Sequence, residues 1–148
     1  MLRPAGGPQE LVVHDVRLRL PEWRKAHASV PVLELEGEFD LDTVPEIDRF
    51  LRRRLGPLYH RHHLVIDLAG VTFVDSSFIA FLVRLIGEQR ATRKELVLVR
   101  PGGQVRRTLG MVGLPNVVPV VESADEAVRL LTSPHAPVIP PVFDAAAD

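Results

Sequence analysis

Residues 64–90 read LVIDLAGVTFVDSSFIAFLVRLIGEQR, and the order of residue types in this stretch decides the fold. Leu64 to Leu68 is an apolar run broken by one acid, Asp67. Residues 69–74 read as a loop. Then come Asp75-Ser76-Ser77 and a very apolar segment, 78–86, that turns polar over 87–90. A short apolar run, a loop, small polar residues and a helix-length apolar run spell strand, loop, N-cap and helix. Asp75 and Ser76 both suit an N-cap, because their side-chain oxygens accept hydrogen bonds from the free amides of a first helical turn. A hydroxyl pair at a helix start in mid-chain is the unusual feature. The rest of the chain reads as the frame that presents Ser76.

Upstream, residues 30–39 alternate as a strand, with Val32, Leu33, Leu35 and Phe39 apolar and Glu34, Glu36 and Glu38 facing away. Residues 11–20 alternate partly and predict one strand, paired antiparallel with 30–39 across a polar connector, 21–29, that holds the only tryptophan, Trp23. Thr43 followed by Glu46 forms a capping-box pattern with Pro45 in the first turn. Val44, Ile47, Phe50, Leu51 and Leu55 then give a helical stripe that Gly56-Pro57 ends.

Downstream, 96–99 is a fully apolar strand. Residues 104–111 predict a short helix with Gly113 as its C′ residue. Residues 117–121 predict a last strand, placed at an edge because Pro119 cannot donate to a ladder. Ser123 and Glu126 form a second capping box, opening a helix through 131. The predicted fold is α/β. Its sheet is mixed, an antiparallel first strand pair followed by parallel strands, with four helices. The near-continuous apolar strands 64–68 and 96–99 belong in the middle of the sheet. One domain is expected over 11–132, between a flexible N-terminus, 1–10, and a flexible Pro-rich tail, 133–148.

Composition narrows the function classes. Of 148 residues, 46% are hydrophobic and 25% charged, enough for a core without staples. There is no cysteine, which excludes disulfides and thiolate chemistry and fits the cytoplasm. A net charge of -1 gives no global pull toward nucleic acid or anionic membrane. The first ten residues lack the apolar core of a signal peptide. The longest uninterrupted apolar run, 78–83, is far short of the ~20 residues that span a bilayer.

At this point the residues resemble a known family. Gly37-Glu38-Phe39-Asp40 with Thr43-Val44-Pro45-Glu46 is similar to the G-E-L-D…T-A-x-E segment of STAS domains, the family of bacterial anti-sigma factor antagonists. Val65-Ile66-Asp67-Leu68, Val71-Thr72-Phe73-Val74 and Asp75-Ser76-Ser77 are similar to its V-D-L…V-x-F-[IM]-D-S-S-G segment. The resemblance covers about residues 30–131. It implies a STAS-like sheet and a protein that is not an enzyme. It also implies that the serine directly after the aspartate, Ser76, is phosphorylated by the anti-sigma factor, itself a serine kinase. The unphosphorylated protein binds that factor and frees a sigma factor; the phosphorylated form is released, and a phosphatase resets it. In one departure, Phe78-Ile79-Ala80 stands where the family usually has Gly-Leu-Gly.

Each candidate also has a plainer reading. Ser76 is an N-cap serine or a phospho-switch. A phosphate there adds about -1.5 to -2 charges, and a helix N-terminus tolerates an anion. Phosphorylation should therefore act through the interface rather than by unfolding. Asp75 makes the same spot more negative. A serine-hydrolase elbow is excluded, because it needs glycine on both sides of the nucleophile. Asp40 is a rim contact for a partner arginine or a loop cap. Asp67 is a structural carboxylate.

His60, His62 and His63 read as a solvated basic turn without carboxylate or cysteine at ligand spacing, so no metal is expected, and no cofactor is called for. The turn 100–107 lacks the Gly-Lys-Ser/Thr ending of a P-loop. It reads as a basic strand–helix turn or, in a small-ligand or nucleotide-binding STAS domain, as the site. The apolar side chains of the central helix span roughly 200° of its circumference, against the about 100° that a surface helix needs. The flank of Phe78, Phe81 and Leu85 is expected to stay open for a partner, unless a loop or the tail covers it. The partner surface therefore comprises Asp40, Asp75, Ser76, Ser77, Phe78 and Phe81. A non-switching STAS scaffold in a signalling or lipid-transport complex is the rival, favoured by Phe78 in place of glycine.

Overall fold

A computed structural model describes residues 9–21 and 30–133 of the chain. Six strands form one sheet in the order β1 (Glu10–Val13), β2 (Val16–Arg19), β3 (Val32–Phe39), β4 (Leu64–Val74), β5 (Leu96–Val99) and β6 (Val120–Val121). β1, β2 and β3 are antiparallel neighbours, and β3 through β6 run parallel. Four α-helices occur among the described residues: α1 (Val44–Leu55), α2 (Ser76–Ala91), α3 (Gly103–Met111) and α4 (Ala124–Thr132). The predicted connector with Trp23 and most of the two terminal segments lie outside the described residues. Of the terminal segments, Glu10 is placed in β1, opposite Arg19.

The strand alternation sorts the core by residue type. Leu33, Leu35, Leu64, Ile66, Leu68, Leu96 and Leu98 face α1, α2 and α3 in the larger cluster. Val32, Val65, Val97, Val99 and Val121 face α4 through Ala127 and Val128. Residues 64–68 of β4 and all of β5 are buried on both faces, which is why they read as near-continuous apolar runs.

Three expected elements have different bounds. The single strand over 11–20 is a tight hairpin. His14 and Asp15 turn the chain with φ of 50° and 65°, so Val13 lies opposite Val16. Such two-residue turns need positive φ at both central positions and usually carry glycine or asparagine, so His14-Asp15 gave little warning. The loop over 69–74 is instead the second half of β4, paired with β3 from Glu36↔Gly70 to Phe39↔Val74, with one register shift just before Glu36 and a second between Gly37 and Glu38. Gly70 permits this pairing. A Cβ there would stand 2.6 Å from Glu36 Cγ and 3.1 Å from the Leu35 carbonyl oxygen. The last strand is cut to Val120–Val121, because Leu114–Asn116 coils as a 3-10 turn and drops Val117 and Val118 into the core. β6 is an edge strand as expected, and the Pro119 carbonyl accepts from the Leu98 amide at 3.0 Å.

The two capping boxes differ. Ser123 Oγ accepts from the Glu126 amide at 3.1 Å, and Glu126 Oε1 accepts from the Glu122 amide at 3.4 Å. Thr43 makes no side-chain cap. Its hydroxyl is engaged upstream, donating to the Glu38 carbonyl and accepting from the Asp40 amide, both at 2.9 Å. Asp40 Oδ1 receives the Asp42 and Thr43 amides instead, at 2.9 and 3.2 Å.

The flank of Phe78, Phe81 and Leu85 is not open. These side chains are 0%, 3% and 1% exposed. α2 packs against α1, the 3-10 turn Tyr59–Arg61 and β4, so it is covered on more sides than a surface helix. Phe78 meets Phe39 with ring centroids 6.2 Å apart. Phe78 and Phe81 are therefore core residues rather than partner contacts, and most of the wide apolar arc is used up inside the fold.

The histidine turn is also less solvated than expected, since His60, His62 and His63 are all half-buried. His63 Nδ1 accepts the Glu95 amide at 3.0 Å, tying the start of β4 to the start of β5. Burial first, then the Lys94 charge, lowers the pKa of His63 below 6.5, and His62 is shifted the same way by the same causes. A lowered histidine pKa means that the unfolded chain binds the proton more tightly. Stability should be full above about pH 6.5 and fall as pH drops through the lowered folded value. His63→Asn keeps an acceptor at the Nδ1 position and removes one titrating group, so urea melts between pH 5 and 7 should show a shallower pH dependence for the variant. An unchanged slope would place the effect on His62 alone.

Candidate functional site at the start of the central helix

The parallel pairing of β3 and β4 brings their carboxyl ends together, where sites on such sheets gather. Phe39 lies opposite Val74, and the Asp75 amide donates to the Phe39 carbonyl at 3.3 Å. Two junctions therefore sit side by side: the loop 40–43 that enters α1, and Asp75-Ser76 that enters α2. β5 ends opposite Asp67, which leaves the far half of β4 without a neighbour on that side. Gln104, in the first turn of α3, fills the gap. Its Oε1 accepts from the Val74 amide at 3.0 Å and its Nε2 donates to the Val74 carbonyl at 2.8 Å. A side-chain amide thus stands in for a strand peptide, a role that nothing in the local sequence announces.

Asp75 is the N-cap of α2. Its Oδ1 accepts from the Ser77 amide at 2.9 Å and the Ser77 hydroxyl at 2.5 Å. Burial works to raise the Asp75 pKa, but donation from the Ser77 hydroxyl and from the Ser77, Phe78 and Leu41 amides outweighs it and holds the carboxyl below its ordinary value. The two serines are thereby separated. Ser77 is half-buried and tied to Asp75. Ser76 is exposed, and among the described residues its hydroxyl has no hydrogen-bond partner.

Of the six residues read as partner surface, Asp40, Asp75, Ser76 and Ser77 come together here, while Phe78 and Phe81 turn inward. Asp40 serves as the loop cap described above. Asp67 is a structural carboxylate, with Oδ1 on the Ala69 amide at 2.9 Å and Oδ2 on Arg100 at 3.1 Å. In the turn 100–107, Arg100 is engaged by Asp67, and Arg106 by the Pro101 carbonyl at 2.9 Å and Glu122 at 3.9 Å. Leu41, absent from the predicted surface, is 74% exposed at the tip of the 40–43 loop. Its signal was a lone apolar residue between two aspartates, outside any helical stripe. No group of His, Asp or Glu among the described residues is placed to hold a metal ion, and no helix among them is long and apolar enough to cross a membrane.

The family model described as "Mlab, STAS domain" matches residues 24–122, and the chain belongs to this family of STAS domains. An anti-sigma factor antagonist from Mycobacterium paratuberculosis shares the fold with a TM-score of 0.65 and 24% identity, over 82% of this chain and 98% of that one. The anti-sigma factor antagonist SpoIIAA in its unphosphorylated form aligns with a TM-score of 0.61 and 19% identity, over 76% and 93%. The Bacillus cell fate determinant SpoIIAA in the phosphorylated form aligns with a TM-score of 0.57 and 18% identity, over 75% and 96%. No curated protein matches the chain in sequence.

Proposed function

We propose that this STAS domain is an anti-sigma factor antagonist of the cytoplasm, a substrate of a kinase rather than an enzyme, with Ser76 as its switch. Unphosphorylated, it binds an anti-sigma factor kinase and so frees a sigma factor; phosphorylated, it is released until a phosphatase resets it. The observation that carries this is the contrast between the two serines: Ser76 exposed and unbonded, Ser77 held by Asp75. In the transfer, Ser76 Oγ bonds to the γ-phosphorus of ATP, ADP leaves and the hydroxyl proton is lost. The phosphate then sits at the N-terminus of α2, where the helix dipole favours an anion, so the fold persists while the surface changes charge.

Incubation with the cognate anti-sigma factor and ATP should add one phosphate by intact mass, and Ser76→Ala should abolish it while still binding. Ser77→Ala should reduce phosphorylation less than Ser76→Ala does. Ser76→Asp should fold and bind poorly. A phosphate on Ser77 or Thr72 would move the switch. No phosphate at all, with Ser76→Asp binding its partner as wild type does, would favour a second reading. That reading is a non-switching subunit of a larger assembly, and the feature that favours it is Phe78 where the resembled family usually has glycine.

A further inference from the structure

Exposed apolar side chains at the end of the sheet that holds Ser76 include Leu41, Phe73, Ala80 and Val83 rather than the phenylalanines of α2, and Leu41, Ala80 and Val83 are the ones that adjoin Ser76. Leu41 is 74% and Val83 45% exposed, and Ala80 is exposed as well. Ala80 and Val83 follow Ser76 by four and seven residues, so the three lie on one face of the helix. Leu41 lies close to them, because the Asp75 amide donates to the carbonyl of Phe39, two residues before Leu41, at 3.3 Å. Asp40 Oδ1 fixes the Asp42 and Thr43 amides behind it, so the leucine is presented on an ordered loop, and little freedom is lost when it docks. The surroundings are acidic, with Glu38, Asp40, Asp42 and Asp75. Neither 30–48 nor 64–83 contains a lysine, arginine or histidine.

We infer that Leu41 anchors an interface whose floor continues over Ala80 and Val83, and that the partner protein offers an apolar socket rimmed by lysine or arginine. This rests on the antagonist reading above and names the contact chemistry of its partner. The rim cations face the loop carboxylates and speed encounter. The centre is sealed by apolar contact, so a phosphate on Ser76 would be buried there unpaired and beside Asp75, an arrangement that expels the partner.

The test is the affinity of the full unphosphorylated chain for the purified cognate anti-sigma factor. Leu41→Ala should bind about tenfold more weakly with an unchanged unfolding midpoint, since the side chain is exposed. Leu58→Ala removes a 49%-exposed leucine just before the 3-10 turn that leads into β4, at the opposite end of the sheet, and should bind as wild type does. Added salt should slow association of wild type and Leu41→Ala alike. If wild type binds and is phosphorylated but Leu41→Ala binds equally well, the anchor is overturned and the antagonist reading stands. Equal weakening by Leu58→Ala, or salt-independent association, also overturns it. If wild type does not bind, both fall.

Discussion

Phe78→Ala is expected to destabilise the fold by about 3–5 kcal/mol, the range for truncating a buried phenylalanine. Phe78 is fully buried in the first turn of α2 and packs on Phe39 from the end of β3. Removing the ring opens a cavity between the two junctions that form the candidate site, so the loss combines transfer free energy with an unfilled space. Phe78→Gly, which restores the residue usual in the resembled family, should cost roughly a further 1 kcal/mol in helix propensity. Denaturant melts measure both. A midpoint close to wild type would mean that the site collapses around the gap. In this chain the phenylalanine has become a packing element beneath Ser76, and the close approach that a glycine there would allow is left to the small side chain of Ala80.

The second large effect is expected at Gln89, whose side chain is fully buried near the other end of α2. Its Nε2 donates to the His62 carbonyl at 3.0 Å and to the Glu95 carbonyl at 3.2 Å, joining the segments that enter β4 and β5. Gln89→Leu keeps the volume close and strips both donors. Each carbonyl left unpaired costs about 1–3 kcal/mol. Part of this is offset, because Gln89 Oε1 is itself buried without a partner among the described residues and disappears with the substitution. Urea denaturation should show the loss. Binding at the Ser76 end should be unchanged, which separates this residue from the functional surface. A variant as stable as wild type would show that the two carbonyls find other donors.

The fold was legible because its signals are local. A short apolar run, Asp75-Ser76 and a helix-length apolar segment fix strand, cap and helix through backbone geometry within a few residues. The valine and leucine alternation of β4 and β5 marks strands buried on both faces. The junction that presents Ser76 was therefore in the sequence, together with the resemblance that gave it a meaning.

Contacts between distant segments decided the rest. Residues 69–74 become strand only because β3 offers Glu36 to Phe39 as partners. The apolar arc of α2 shows that the helix is buried widely. It cannot show which neighbours bury it, so Phe78 and Phe81 looked available until α1, the Tyr59–Arg61 turn and Phe39 were in place. Two adjacent serines are near-equivalent in a sequence. They differ in the folded chain because Asp75 Oδ1 captures the Ser77 hydroxyl and leaves that of Ser76 facing solvent. Periodicity and capping are encoded within a turn or two of chain, whereas exposure at a single position depends on what tertiary packing lays over it.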